Sequence, residues 1–311
     1  MKDFSNLSSA SLWVQRIHKL VSYIWLCAIK VKVNFVHLAE MEKNMAIRLI
    51  ASDVDGTLIQ DSTPNLYPEM EETIKRLKER GILFCAASGR QYQSLENVFR
   101  NVADDIAYIA ENGAQIRYRH RNVSVTPMKR EDVEGIIKML RPYYGECEAV
   151  ISTPEGSLVE SRNQTFIDLL TYGYHNTFRR VKDVLEQEDE IIKIAVYRRD
   201  SIRELGESRF IPAWEKNVKA CMAGEEWVDF MDKSVDKGNG LKILEDYLGI
   251  GRQEAMAFGD NDNDIGMMQA AGESYAVDTA PEHVKKAAGA VCPGWRKKGV
   301  YQIIQAKIFG E

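Results

Sequence analysis

The sequence predicts an α/β protein: a doubly wound, mostly parallel, Rossmann-like sheet with an α+β module inserted into it. Three observations predict this. From Ile47 to about residue 110, short apolar runs alternate with amphipathic stretches, the strand–helix–strand rhythm of a doubly wound sheet. The same rhythm returns from Lys237 to the C-terminus. Between them lies a region of strand-like segments separated by charge-rich helical stretches, which reads as a separate module.

The elements follow in order. "IRLIAS" (47–52) is a short apolar run closed by an acidic turn, as expected of a buried parallel strand. "YPEMEETIKRLKERG" places Met70, Ile74 and Leu77 at helical spacing and ends on Gly81, a plausible stop. "ILFCAAS" is a second strand, a helix is expected around Ser94–Asn101, and "IAYIA" is a third strand. The inserted module carries "AVISTPEGSLVES", "IIKIAVYR" and "KACMAGEEWVDFM" as strand-like segments. "KGNGLKILEDYLGI" then sets Leu241, Leu244 and Leu248 on one helical face. "EAMAF" gives another buried strand, and "SYAV" and "GAVC" give the last two. The expected organisation is a core of residues 45–126 and 232–311, with the module at 127–231.

Bulk composition excludes some classes. A formal net charge of −5 argues against a general nucleic-acid-binding surface. Five scattered cysteines without a C-x-x-C pair read as reduced thiols of a cytoplasmic protein, not a disulfide framework or zinc site. The apolar stretch Leu20–Ile29 is ten residues long, too short for a bilayer, which takes about 20. Residues 1–44 are therefore read as an extension before a domain that begins near Met41 or Met45, in preference to a targeting segment. No membrane association is expected.

Four short motifs sit at predicted strand ends, where ligands gather in open α/β sheets. Asp53-Val54-Asp55-Gly56-Thr57 places two carboxylates where they can flank a reacting centre or share a hard cation such as Mg²⁺. The same pattern also suits an Asx-turn. Ala87-Ser88-Gly89-Arg90 offers a hydroxyl and backbone N–H groups to an anion, or an ordinary helix cap. Asp236-Lys237-Gly238 supplies either a phosphate-pairing ammonium or a surface lysine. Gly259-Asp260-Asn261-Asp262-Asn263-Asp264 is either a metal-holding loop or a solvated turn, and lacks the glycine and glutamate of an EF-hand.

Together, the order D-x-D-G-T, S-G, K-G, G-D-x-x-N-D resembles the haloacid dehalogenase-like phosphatases, the Cof-type subgroup in particular. "ENGA" at 111–114 and "WVDFMDKSVDKGNGL" are similar to that subgroup as well, and the interval of 149 positions from Ser88 to Lys237 leaves room for its α/β cap. The resemblance covers Met45 to the C-terminus. It implies a Mg²⁺-dependent phosphatase of small phosphorylated metabolites acting through an aspartyl-phosphate. Asp53 would be the nucleophile and Asp55 the general acid and base. Ser88, Gly89, Lys237 and Asn263 would hold the phosphate. The Asp53 side chain, the Asp55 backbone carbonyl and Asp260 would hold the metal, with Asp264 orienting Lys237 or a metal-bound water and Thr57 steadying the acidic loop. Asp262 takes no role. The alternatives are a phosphotransferase or phosphomutase on the same core, or a non-catalytic protein that binds phosphometabolites. Within the insert, Arg162, Arg179, Tyr172 and His175 are candidates to face the site, or else belong to its surface or core.

Overall fold

The computed structural model describes residues 46–60 and 65–311; the expectations for residues 1–44 lie outside the described residues. Residues 47–311 form one compact unit. Its strands are β1 (Leu49–Asp53), β2 (Leu83–Ala87), β3 (Ile106–Ala110), β4 (Gln115–Tyr118), β5 (Arg121–Val125), β6 (Glu148–Thr153), β7 (Gly156–Val159), β8 (Phe178–Arg180), β9 (Lys193–Tyr197), β10 (Lys219–Met222), β11 (Trp227–Met231), β12 (Ala255–Gly259), β13 (Glu273–Val277) and β14 (Ala290–Cys292). The helices that matter most below are α1 (Pro68–Glu79), α2 (Tyr92–Val98), α3 (Arg130–Leu140), α4 (Lys237–Leu248) and α5 (Ile265–Ala270).

An eight-stranded sheet runs β14-β13-β12-β1-β2-β3-β4-β5. From β14 to β3 every pairing is parallel, and the β4–β5 hairpin adds an antiparallel edge. Both faces are buried. On β1, Ile50 joins one apolar cluster with Met70, Ile74 and Leu77 of α1, while Leu49 and Ala51 join the other with Leu241 and Leu244 of α4. That two-sided burial explains why the strands read as near-continuous apolar runs. The helix expected around Ser94–Asn101 is α2, shifted toward the N-terminus because Gln91 already begins it.

The chain order reverses at β1, which pairs with β2 on one side and β12 on the other. This is the topological switch point at which α/β sheets bind ligands. A second, six-stranded sheet runs β10-β11-β9-β6-β7-β8 and is antiparallel except for β7–β8. It is the α+β cap, inserted between β5 and α4. One face packs under α3 through Ile151, Ile194 and Phe230. The other turns alternate residues (Val150, Ser152, Lys193, Ala195 and Asp229) toward a cavity shared with the core sheet.

On α4, Glu245 is only 6 % exposed and its Oε1 has no hydrogen-bond partner. Burial, then the neighbouring Asp246, pushes its carboxyl from 4.5 up to about 7. The folded chain thus keeps a proton that the unfolded chain releases, so stability falls as pH rises from about 4.5 to about 7. Glu245→Gln is expected to flatten this slope and to leave the variant about 2 kcal/mol more stable than the parent at pH 8. Urea midpoints at pH 5 and pH 8 check it; a pH-independent difference between the two proteins contradicts it.

Candidate active site

Asp53 is the last residue of β1, Ser88 follows β2, Asn112 follows β3 and Asp260 follows β12. Because these strands are parallel neighbours, their carboxyl ends open onto one rim. After Asp53 the chain turns sharply, with the N–H groups of Leu58 and Ile59 both donating to the Val54 carbonyl at 3.0 Å. Gly56 makes the turn possible. Its φ is +85°, and a Cβ there would stand 2.6 Å from an Asp260 oxygen. Thr57 Oγ1 donates to Asp260 Oδ1 at 2.8 Å, fastening the two acidic loops together.

Lys237 is the first residue of α4 and is fully buried, which removes the surface-lysine reading. A cation is the wrong sign for a helix N-terminus. Two carboxylates overrule the dipole: its Nζ donates to Asp53 Oδ1 and to Asp264 Oδ1, each at 2.6 Å. Gly238 lets α4 approach α5 closely, since a Cβ there would meet the Gly266 backbone at 2.5 Å. Asp264 Oδ2 accepts from the N–H groups of Asp260 and Asn261, both at 3.0 Å.

The charge balance is negative. Asp53, Asp260 and Asp264 present oxygens within 4.8 Å of one another, against one ammonium. Burial, then the Asp264 carboxylate, push the Asp53 carboxyl well above the usual carboxylate range against the pull of Lys237. Burial raises Asp260 too. Asp53 Oδ2 is buried without a hydrogen-bond partner. Surplus negative charge, hard oxygen donors and an orphaned carboxylate oxygen together fit a divalent cation such as Mg²⁺. Asp264 fits less well as a ligand than Asp53 and Asp260, because both of its oxygens are already engaged.

Ser88 does not cap α2, whose N-cap is Gln91; instead its Oγ accepts from the Arg90 N–H at 3.1 Å. Asn263 Nδ2 donates to Asn112 Oδ1 at 3.0 Å, bridging the loops after β12 and β3. Asp53, Asp55, Ser88, Gly89, Asp260 and Asn263 share the wall of a cavity of about 770 Å³, while Lys237 sits behind Asp53. Asp262 is exposed and pairs with His283.

Two features escaped the sequence reading, the reach of Arg90 and the cavity-lining Lys193. Arg90 grips the Asp55 carboxylate with two nitrogens, Nε reaching Oδ2 at 2.7 Å. The "SGR" triplet contained this arginine, but nothing local says that its fork reaches Asp55. Asn112 joins the rim, as its place at a strand end alongside Asp53 and Ser88 leads one to expect, and does so from a left-handed turn with φ +50° at Glu111 and +57° at Asn112. Lys193, from β9 of the cap, lines the cavity. The four cap candidates do not line it. Tyr172 is 74 % exposed, Arg179 pairs with Gln187 and Asp189, His175 is exposed, and Arg162 lies by a separate pocket beside Tyr144. Tyr174, Asn176 and Trp227 line the cavity instead.

Comparison with known proteins decides the family. A model described as haloacid dehalogenase-like hydrolase matches residues 50–304. The chain belongs to that family. This hydrolase is 27% identical over 262 residues to the 5-amino-6-(5-phospho-D-ribitylamino)uracil phosphatase YbjI of Escherichia coli (strain K12), covering 84% of the chain and 96% of YbjI. It is 27% identical over 260 residues to the pyridoxal phosphate phosphatase YbhA of the same organism, covering 79% and 93%. A crystal structure from Eubacterium rectale superposes with a TM-score of 0.76 at 35% identity, covering 84% of this chain and 98% of that one. The expected Cof-type hydrolase and its Rossmann-like core with a cap are therefore met. A phosphate monoester hydrolase is the enzyme that the family and its named members describe. Among the described residues, no helix is long and apolar enough to cross a membrane.

Proposed function

We propose that this hydrolase is a Mg²⁺-dependent phosphatase of small phosphorylated metabolites, acting through an aspartyl-phosphate formed on Asp53. The observation that carries the reading is the buried Asp53 carboxylate, with one oxygen on Lys237 and the other unpartnered, at the wall of a cavity of about 770 Å³. The reading takes residues 45–126 and 232–311 as the catalytic core and 127–231 as the cap, in a cytoplasmic protein.

Asp53 attacks phosphorus and breaks its bond to the ester oxygen, while Asp55 gives a proton to the departing alcohol. Water then attacks the phosphorus of the acyl phosphate, Asp55 takes its proton, and free phosphate and Asp53 are regenerated. Because Arg90 holds Asp55 in the structure described, Asp55 must exchange this partner for the ester oxygen as substrate enters. Ser88, the Gly89 N–H, Lys237 and Asn263 bind the phosphate oxygens and hold phosphorus in line with Asp53. The Asp53 side chain, the Asp55 carbonyl and Asp260 would hold Mg²⁺, with Asp264 and Thr57 orienting the groups around it. When bound, the ion would supply charge neutralisation between two approaching anions.

A chelator is expected to abolish hydrolysis of an aryl phosphate and excess Mg²⁺ to restore it; turnover that persists in chelator contradicts the metal. A panel of sugar phosphates and the two compounds named for the Escherichia coli relatives then identifies the substrate. Phosphate transferred to an added acceptor sugar would favour the phosphotransferase reading, since water must compete for the same intermediate.

A further inference from the structure

We propose that Lys193 of the cap is a positioning residue for the phosphate loop of the core, so that docking of the cap sets the Ser88 hydroxyl and the Arg90 fork. Lys193 opens β9 and is only 7% exposed. Its ammonium pairs with a carboxylate from each sheet's side of the cavity: Glu111, in the turn after β3, and Asp229 of β11, at 3.6 Å. The register explains the second contact, since Asp229 lies opposite Ala195 and Met231 opposite Lys193, making Lys193 and Asp229 diagonal neighbours on one face. The net charge of this trio is negative, and Asp229 and Glu111 keep the buried ammonium protonated against its desolvation.

The third contact carries the inference. Lys193 Nζ donates to the Gly89 carbonyl at 2.9 Å. That carbonyl belongs to the same peptide unit as the Arg90 N–H, which donates to Ser88 Oγ at 3.1 Å. Holding one end of a planar peptide fixes the direction of the other. The Arg90 carbonyl in turn accepts from the Glu111 N–H at 3.0 Å, closing a ring of contacts around the loop. A left-handed φ of +50° at Glu111 is a conformation that costs a non-glycine residue energy, and the pairing with Lys193 holds it there. With the cap withdrawn, the Gly89–Arg90 peptide loses a charged donor, and both Ser88 and Arg90 lose the reference that aims them at phosphate and at Asp55. By reciprocity, phosphate bound in the core tightens the cap.

This inference rests on the reading of Ser88 and Gly89 as the phosphate loop, and the test separates the two. The probe is inorganic phosphate, measured as a competitive inhibitor of aryl phosphate hydrolysis and by the rise it causes in melting temperature. Lys193→Met combined with Glu111→Gln and Asp229→Asn removes the ammonium without leaving a buried charge unpaired, so the fold is kept. The Ki for phosphate is expected to rise about tenfold or more, the worth of one charge-assisted hydrogen bond. The phosphate-induced rise in melting temperature is expected to shrink with it, and Lys193→Arg, which keeps a donor and the charge, is expected to fall between variant and parent. A role confined to holding the cap in place predicts instead an unchanged Ki, because inorganic phosphate contacts only the core. A parental Ki in the triple variant overturns the proposal. Ser88→Ala tests the underlying reading alone: a parental Ki there would unseat the phosphate loop itself, whatever Lys193 does.

Discussion

Replacing Asp53 with asparagine is expected to lower kcat by about 10⁴-fold or more while the chain stays folded, because a nucleophile has no substitute among the groups around it. Asparagine fills the same space and can still accept from Lys237, which now donates to Asp53 Oδ1 at 2.6 Å. It cannot form the acyl phosphate. Stability should hold or rise at neutral pH. Burial raises the Asp53 carboxyl in the folded state, so its ionisation costs stability as pH climbs above 3.8, and asparagine removes that cost. Steady-state hydrolysis of an aryl phosphate, rapid acid quench for a phosphoenzyme and thermal melting at pH 7 check the three parts. Intact turnover in Asp53→Asn would sink the assignment of nucleophile and with it the proposed mechanism.

Lys237→Met should have the largest effect on stability, about 3–5 kcal/mol, because it strips the ammonium that pairs with two buried carboxylates. Methionine fills the volume of the stem, so the loss reports charge and not a cavity. The direction with pH follows. Without the ammonium, the folded-state carboxyl of Asp53, already raised by burial, moves further up, so the variant binds protons more tightly than its unfolded chain and weakens as pH rises. The gap to the parent should therefore be wider at pH 8 than at pH 5. Millimolar Mg²⁺ should restore part of it, and should raise the melting temperature of the variant more than that of the parent, since binding to the folded state alone stabilises it. Melting curves at both pH values, with chelator and with Mg²⁺, decide the matter. A variant that melts with the parent at pH 8 in chelator would show that the buried charge balance described above is wrong.

Much of the fold could be read from residue order. Strands β1, β2, β3 and β12 were recognisable because both of their faces are buried, which forces continuous apolar runs that no amphipathic helix shows. Helix α4 was recognisable by Leu241, Leu244 and Leu248 at helical spacing; its end, at a left-handed Gly249, came from the structure. The cap was legible only as a change of texture. Its antiparallel strands bury one face and wet the other, so each inward position depends on register. Outside the strands even that guide is lost: Tyr172 lies in the helical turn Leu169–Gly173 and His175 in the loop before β8, where no period tells which side chain turns inward, and it is Tyr174 and Asn176 that stand on the cavity wall.

By itself the sequence determined which chemical groups stand ready at the candidate site: Asp53 and Asp55 at the end of one strand, Ser88 and Gly89 after another, Lys237 opening a helix, and Asp260, Asn263 and Asp264 in one loop. Side-chain chemistry is local, and short motifs carry it. Only the tertiary structure decided who partners whom. Asp53 and Lys237 stand 184 positions apart, and parallel pairing of β1 with β12, together with the close packing of α4 on α5, brings their charged atoms to 2.6 Å. It likewise gave Asp55 to Arg90 and set Lys193 of the cap on the Gly89 carbonyl. Charge pairing in a buried site is a property of distance in space, and distance in space is fixed by sheet order and register, not by position along the chain.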